Sequence, residues 1–520
     1  MASSEPNKIA PFPGVRTARI WLLCVLVFSL LYALTCQRGV SWQDSGMFQW
    51  RVLNGDFIGR RGLALGHPLY IAAAQILKPI DAGTLAGRLN FFSGLGMAVA
   101  LANLAVVLTL LTGRGWIGLL TAAMLAVSHT VWWLSTLAEV YTWSVAGLTA
   151  ELWLLVGLVR RPSGRRLAGL AFVSGLGLSL HNFALLPLPI YFVLAVVLVV
   201  RRRLGGRALA VGAIAWLSGA SVYLGFVIHE AIATGDIAAT MQSALFGNYA
   251  SQVFNASSVS KNFKANMALS AFNFVSMLGP LAIVGWSRMG RRLGRPLALT
   301  LGALTVIELL FFIRYPVADQ FTFILPTLVM VALSAGIGLS VLADVSRRVR
   351  ICVVLLCVAS VLAQPVLYSA GPTLLRATGV SVNRSRKLPF RSEIRYWLVP
   401  WKHNEDSARR FSVSALTRVR PGDLILSDST SVYPLLVTRR ENPRFEGIRI
   451  PEFARLSPSY DDDPRRYRQA LAGGALYVVS LEQEGLSPRL LADTETIGCP
   501  TDAPVLYRLE WKQQPAIDPR

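Results

Sequence analysis

The chain has 520 residues, of which 53% are hydrophobic and 15% charged, and it carries a net charge of +22. A soluble globular protein has about 25% charged residues, so the composition excludes an ordinary soluble enzyme. Nucleic-acid binding would account for the charge but not for the apolar mass, whereas a membrane protein with Arg-rich cytoplasmic loops accounts for both.

Residues 1–370 hold 28 basic and 11 acidic residues, against 23 and 18 in residues 371–520. The charge excess therefore belongs to the apolar part. The expected architecture is an all-α polytopic membrane domain over 1–370, followed by a small soluble α/β domain over 371–520.

Lys8, Arg16 and Arg19 precede an apolar run from Ile20 to Thr35. No small-x-small cleavage site follows, and further apolar runs do, so this is read as the first membrane helix. Apolar length predicts eleven spans, over 19–36, 88–112, 116–134, 138–159, 167–181, 183–200, 208–229, 268–286, 297–313, 321–343 and 351–370. The fifth and sixth look like one stretch broken by a kink or hairpin at His181-Asn182. Pro68–Leu77 is too short to cross and is placed as an interfacial helix within the first external loop, 37–87.

Four basic clusters test this threading: Arg160–Arg166, Arg201–Arg207, Arg288–Arg295 and Arg347–Arg350. Alternating passes put all four on the side of the N-terminus, which is then cytoplasmic. Loop 37–87, Glu139, the His181-Asn182 break, loop 230–267 and the turn 314–320 fall on the opposite face, as does the C-terminal domain.

In the tail, Asp423–Ser427, Ala475–Leu481 and Pro504–Trp511 read as strands and Asp463–Ala472 as a helix. Cys24, Cys36, Cys352, Cys357 and Cys499 have no metal-ligand spacing and imply no disulfide framework. Arg far outnumbers Lys, and Ala and Gly are frequent. This usage suits a GC-rich bacterial genome and makes the outer face periplasmic.

Loop 37–87 is the most informative segment. It reads Ser41-Trp42-Gln43-Asp44-Ser45-Gly46, then Arg51, Asp56, Arg60 and Arg61, then Gly66-His67-Pro68. Asp44 lies near the end of the first span, where a carboxylate is costly unless it has a partner or a task. It is a general base, a cation ligand or a cap of the next helix. Glu139 is a similar case, its structural reading being an acid that favours a helix N-terminus, and Asp319 is a third, its structural reading being a cap with Arg314 as local partner. His67 and His181-Asn182 could bind phosphate, relay a proton or be structural. The topology, fixed by other residues, gathers these groups on one face with Arg51, Arg60, Arg61 and Arg314. Arg is a good phosphate ligand, so the set suggests an anionic lipid substrate and acid–base chemistry. Glu151 and Glu308 fall inside spans and would suit a transporter's relay.

The ordered set Asp44-Ser45-Gly46, Gly66-His67-Pro68, Arg88–Ser93, Ala138–Tyr141, Gly175–Asn182 and Tyr315–Asp319 resembles the protein O-mannosyltransferase-like branch of the GT-C glycosyltransferase superfamily. Met47 stands where relatives often have Glu. The resemblance implies a sugar donor on a polyprenyl phosphate, used at the bilayer's non-cytoplasmic face on a protein, glycan or lipid hydroxyl. It implies Asp44 as the base of an inverting displacement and Glu139 as the second-loop acid. His67 and nearby Arg residues would face the donor phosphate. A phosphate leaving group makes a metal unnecessary in principle, so no metal or other cofactor is expected. The alternative class is a transporter or flippase of lipid-linked saccharides.

Overall fold

A computed structural model describes residues 15–250, 263–377, 388–452, 464, 474–482, 486–497 and 505–512. The first helix, Val15–Thr35, exposes Leu22, Leu26, Leu30 and Leu34. Their spacing of four makes one apolar stripe, the face a lipid chain would cover. Leu85–Thr112 and Gln320–Ala343 lie at the centre of the bundle and are largely buried, while the flanking helices present Leu, Ile and Val outward. The chain is an integral membrane protein on this evidence.

The expected stretches are helical, but the count of eleven spans is not confirmed. Among the described residues, eight helices are long and apolar enough to cross a bilayer. A ninth forms if Phe263–Phe274 and Leu278–Leu293, bent by 78°, are taken as one span. The stretch 116–134 breaks at Val127-Ser128 into Gly115–Ala126 and His129–Leu134. Gly164–Leu180 has 17 residues and ends where His181 adopts extended backbone. A 3-10 turn, Asn182–Leu185, then leads into Leu188–Val200. The break at His181-Asn182 is therefore real. Pro68 opens a short helix, Pro68–Ala74, that buries Tyr70, Ile71 and Ala74. It is not a span.

Small residues let some helices touch backbone to backbone. A Cβ on Gly338 would overlap the Leu281 carbonyl, and one on Gly285 would overlap the Ser334 carbonyl. This pair of glycines fixes the crossing of Leu278–Leu293 with Leu325–Ala343.

The tail contains a four-stranded sheet of β1 (Leu424–Leu426), β2 (Leu476–Val478), β3 (Thr494–Ile497) and β4 (Tyr507–Trp511). Its order is β1-β2-β4-β3. β1 and β2 are parallel, with Ile425 opposite Tyr477. The other pairs are antiparallel, with Tyr477 opposite Arg508 and Thr496 opposite Leu509. The expected helix 463–472, apart from Pro464, and Cys499 lie outside the described residues.

Part of the tail is sewn into the helical bundle. The Lys402 N–H donates to the Thr35 carbonyl at 2.7 Å, and Thr136 Oγ1 donates to the Pro400 carbonyl at 2.9 Å. Trp42 Nε1 donates to Ser407 Oγ at 2.8 Å. The Lys402 ammonium is buried and donates to the carbonyls of Tyr396 and Val399. Burial pulls its pKa down to about 7.

Candidate functional site

The segment before the Gln43–Asn54 helix is fixed by amides. Gln49 Oε1 accepts the Ser41 N–H at 3.0 Å, and Gln49 Nε2 donates to Asn90 Oδ1 at 2.9 Å. Asn90 in turn donates to the carbonyls of Gln37 and Gly39. Loop 37–42 is thus pinned to the Leu85–Thr112 helix. Gln43 has a positive φ of 55°, and its N–H donates to the Thr430 carbonyl at 3.1 Å. A non-glycine residue there costs about 1–2 kcal/mol, and the tail's contact holds it.

Asp44 follows in the first turn. The helix start has no side-chain cap, so the capping reading of Asp44 is not what the structure holds. Its Oδ1 instead lies 3.0 Å from Arg61 Nη1. Arg61 is set by a backbone crossing: its carbonyl accepts the Asn248 N–H at 3.2 Å. The next residue, Gly62 (φ 95°), leaves no room for a Cβ against Gly247. The carboxylate keeps the Arg61 guanidinium firmly protonated, raising its pKa against the lowering effect of burial.

Glu139 approaches from the turn before Tyr141–Arg160. Its backbone is clamped by Ser93, whose Oγ donates to the Glu139 carbonyl at 2.9 Å and accepts its N–H at 2.7 Å. Ser45 Oγ donates to Glu139 Oε1 at 2.6 Å. Burial pushes the Glu139 pKa well above the usual carboxylate range, and the nearby Asp44 and Asp319 add to the rise.

His67 has a φ of 49° and directly precedes Pro68. A residue before proline is disfavoured in the right-handed helical region. His67 takes the left-handed one and so aims its ring at His181, 4.9 Å away between centroids. Burial lowers the pKa of both rings, His181 to about 3. Burial thus disfavours the charged form of both rings.

These groups share one cavity of about 960 Å³, a size that suits a small-molecule site. Asp44, Arg60, Arg61, His67, Glu139, His181, Asn182 and Asp319 all line it. Asn182 also donates to the carbonyls of Ala244 and Leu245, which holds the neighbouring helix Ile237–Phe246 in place. Two predicted residues lie elsewhere. Arg51 is buried and gives its guanidinium to the carbonyls of Asp56, Phe57, Leu65 and Gly66. Its task is to shape the loop. Arg314 is exposed and is not on the cavity wall.

Two contributors were not predicted. Glu452 pairs with Arg60 at 2.7 Å and accepts from Trp50 Nε1 at 2.6 Å. Ser45, next to Asp44 in the chain, donates to Glu139. Glu452 gives no local signal, because its partners lie some four hundred residues away. Ser45 adjoins Asp44, so its position alone marked it for attention.

Residues 64–203 match the family described as the protein O-mannosyl-transferase TMEM260 N-terminal domain. No curated protein matches the chain. Among solved structures, ArnT from Cupriavidus metallidurans bound to undecaprenyl phosphate aligns with a TM-score of 0.54 and 14% identity. The alignment covers 96% of this chain and 98% of ArnT. The apo state of the same protein gives 0.54 and 14%, over 95% and 98%. The archaeal oligosaccharyltransferase AglB from Archaeoglobus fulgidus aligns more loosely, at 0.43 and 12%, over 89% of this chain and 69% of its own. The chain thus shares the fold of ArnT, and residues 64–203 match the protein O-mannosyl-transferase TMEM260 N-terminal domain family.

Proposed function

We propose that the chain moves a mannose-like sugar from a polyprenyl-phosphate carrier to a hydroxyl of a protein, glycan or lipid. The observation that carries this reading is a carboxylate, Asp44, standing 3.0 Å from a guanidinium, Arg61, on the wall of a roomy cavity. Such a pair holds the two functions that sugar transfer from a phosphate requires, a base and a phosphate ligand. The undecaprenyl phosphate bound to the structurally similar ArnT supports a donor of this chemistry.

In this mechanism Arg60 and Arg61 take the donor phosphate. An acceptor hydroxyl enters on the far side of the anomeric carbon. Asp44 removes its proton as the hydroxyl oxygen bonds to that carbon. The bond from the carbon to the phosphate oxygen breaks, and polyprenyl phosphate leaves with the electron pair. Attack opposite the leaving group inverts the anomeric configuration. Arg neutralises the departing phosphate, so the mechanism includes no metal. Glu139, whose carboxyl accepts from Ser45 Oγ, stands beside this step as the second acid of the cavity.

The positive-inside pattern puts the N-terminus in the cytoplasm. The cavity then opens on the other face, the periplasm of a bacterial inner membrane. Trp42 and Trp50 bond to Ser407 and Glu452, which supports a C-terminal segment on the same side.

Purified protein supplied with radiolabelled polyprenyl-phosphate mannose and a Ser/Thr-containing peptide or a membrane extract should move label onto an acceptor. Label that stays on the lipid with every donor sugar tried would contradict enzymatic transfer and favour a carrier.

A further inference from the structure

Neither His67 nor His181 takes part in the transfer step. Their rings stand face to face, 16° from parallel, and both line the cavity. Each is tied to the backbone through Nδ1, but in opposite senses. His67 Nδ1 lies 2.8 Å from the Leu180 carbonyl oxygen. A carbonyl only accepts, so this nitrogen carries the hydrogen and Nε2 of the neutral ring is a bare acceptor. His181 Nδ1 accepts the Phe183 N–H at 3.1 Å. The hydrogen of that neutral ring therefore sits on Nε2, a donor. Neither Nε2 has a hydrogen-bond partner among the described residues.

In the neutral forms that burial favours, the pair thus offers the cavity one acceptor and one donor. A phosphate oxygen would set a lone pair against the lone pair of His67 Nε2. A sugar hydroxyl both gives and takes a hydrogen bond, so it satisfies either nitrogen. The surroundings agree. Tyr141 and Phe183 flank His181, with centroids 5.4 and 4.0 Å away. Phe323 lies 5.2 Å beyond Phe183. Aromatic faces carry negative potential and suit the C–H face of a sugar ring. The left-handed backbone at His67 is the kind of local strain that persists where a site is pre-organised.

We propose that His67 and His181 read hydroxyl groups of the donor's sugar, a role separate from binding its phosphate. The inference rests on the glycosyltransferase reading and assigns sugar discrimination to this pair.

The test compares binding of two lipids to the purified full-length protein: undecaprenyl phosphate and undecaprenyl-phosphate mannose. The variants are His67→Asn and His181→Asn. Asn can keep each inner bond, donating to Leu180 or accepting from Phe183, and it tolerates the left-handed backbone at 67. Both variants lose Nε2. The wild type should bind both lipids. Each variant should bind the mannosyl lipid roughly ten-fold more weakly and the bare lipid phosphate within about three-fold of wild type. Equal weakening for both lipids would overturn the inference and make the histidines phosphate ligands. Unchanged binding of both would overturn it as well. A wild type that binds neither lipid would contradict the glycosyltransferase reading itself, and the inference with it. A second measurement needs no variant. Mannosyl lipids lacking single hydroxyls should bind the wild type more weakly at the positions the pair reads, and equal binding of every deoxy analogue would overturn the inference.

Discussion

Replacing Asp44 by Asn is expected to lower turnover by roughly 10²–10⁴-fold, the range for removing a general base. That is about 2.7–5.4 kcal/mol of transition-state stabilisation. Stability should barely change. The Asp44–Arg61 pair is partly exposed, with side-chain accessibilities of 43% and 25%, and such ion pairs contribute about 0–1 kcal/mol. Asn Oδ1 can still accept from Arg61. Affinity for undecaprenyl phosphate should hold or rise, because Arg61 no longer divides its charge between a carboxylate and a phosphate. Turnover and lipid affinity therefore move apart. Turnover within three-fold of wild type would remove Asp44 from the base role. Equal loss of turnover and of lipid affinity would recast it as a binding residue.

The second large effect concerns the frame. Gly338→Val should abolish recovery of monodisperse protein from the membrane. The new Cβ would overlap the Leu281 carbonyl, and a carbonyl within a helix cannot move aside as a side chain can. Overpacking of this kind costs about 1–3 kcal/mol or more, a large part of a marginal stability. Gly302→Ala is the control. It lies in the Arg295–Arg314 helix, and its Cβ would meet only a Trp286 ring atom at 3.9 Å. Alanine there should be neutral or stabilising by up to about 1 kcal/mol. Chromatographic profile and thermal midpoint check both variants. Normal behaviour of Gly338→Val would mean that the two helices do not cross this closely.

Much of the frame was legible because apolar length and Arg placement are local signals. The break at His181-Asn182 followed from arithmetic, since no single pass needs 34 residues. The stretch 116–134 reads as one helix because its composition stays apolar through Val127, while the backbone turns at Ser128. β3, Thr494–Ile497, was missed because it is an edge strand that buries only Thr494. The candidate site was legible as a set of residue types on one face. Their tasks were less so. An Arg in a Gly- and Asp-rich loop reads as a phosphate ligand whether its guanidinium faces a cavity, as Arg61 does, or four carbonyls, as Arg51 does. The difference lies in loop geometry that spacing does not encode. Likewise, no pattern near Arg60 announces Glu452.

The proposed transfer requires the cavity to be the donor site. Its most direct test is a cryo-EM structure of the protein with undecaprenyl-phosphate mannose, using Asp44→Asn to prevent turnover. The phosphate should lie against Arg60 and Arg61, with the sugar between residue 44 and the His67–His181 pair. Donor density elsewhere on the protein, with this cavity empty, would contradict the account.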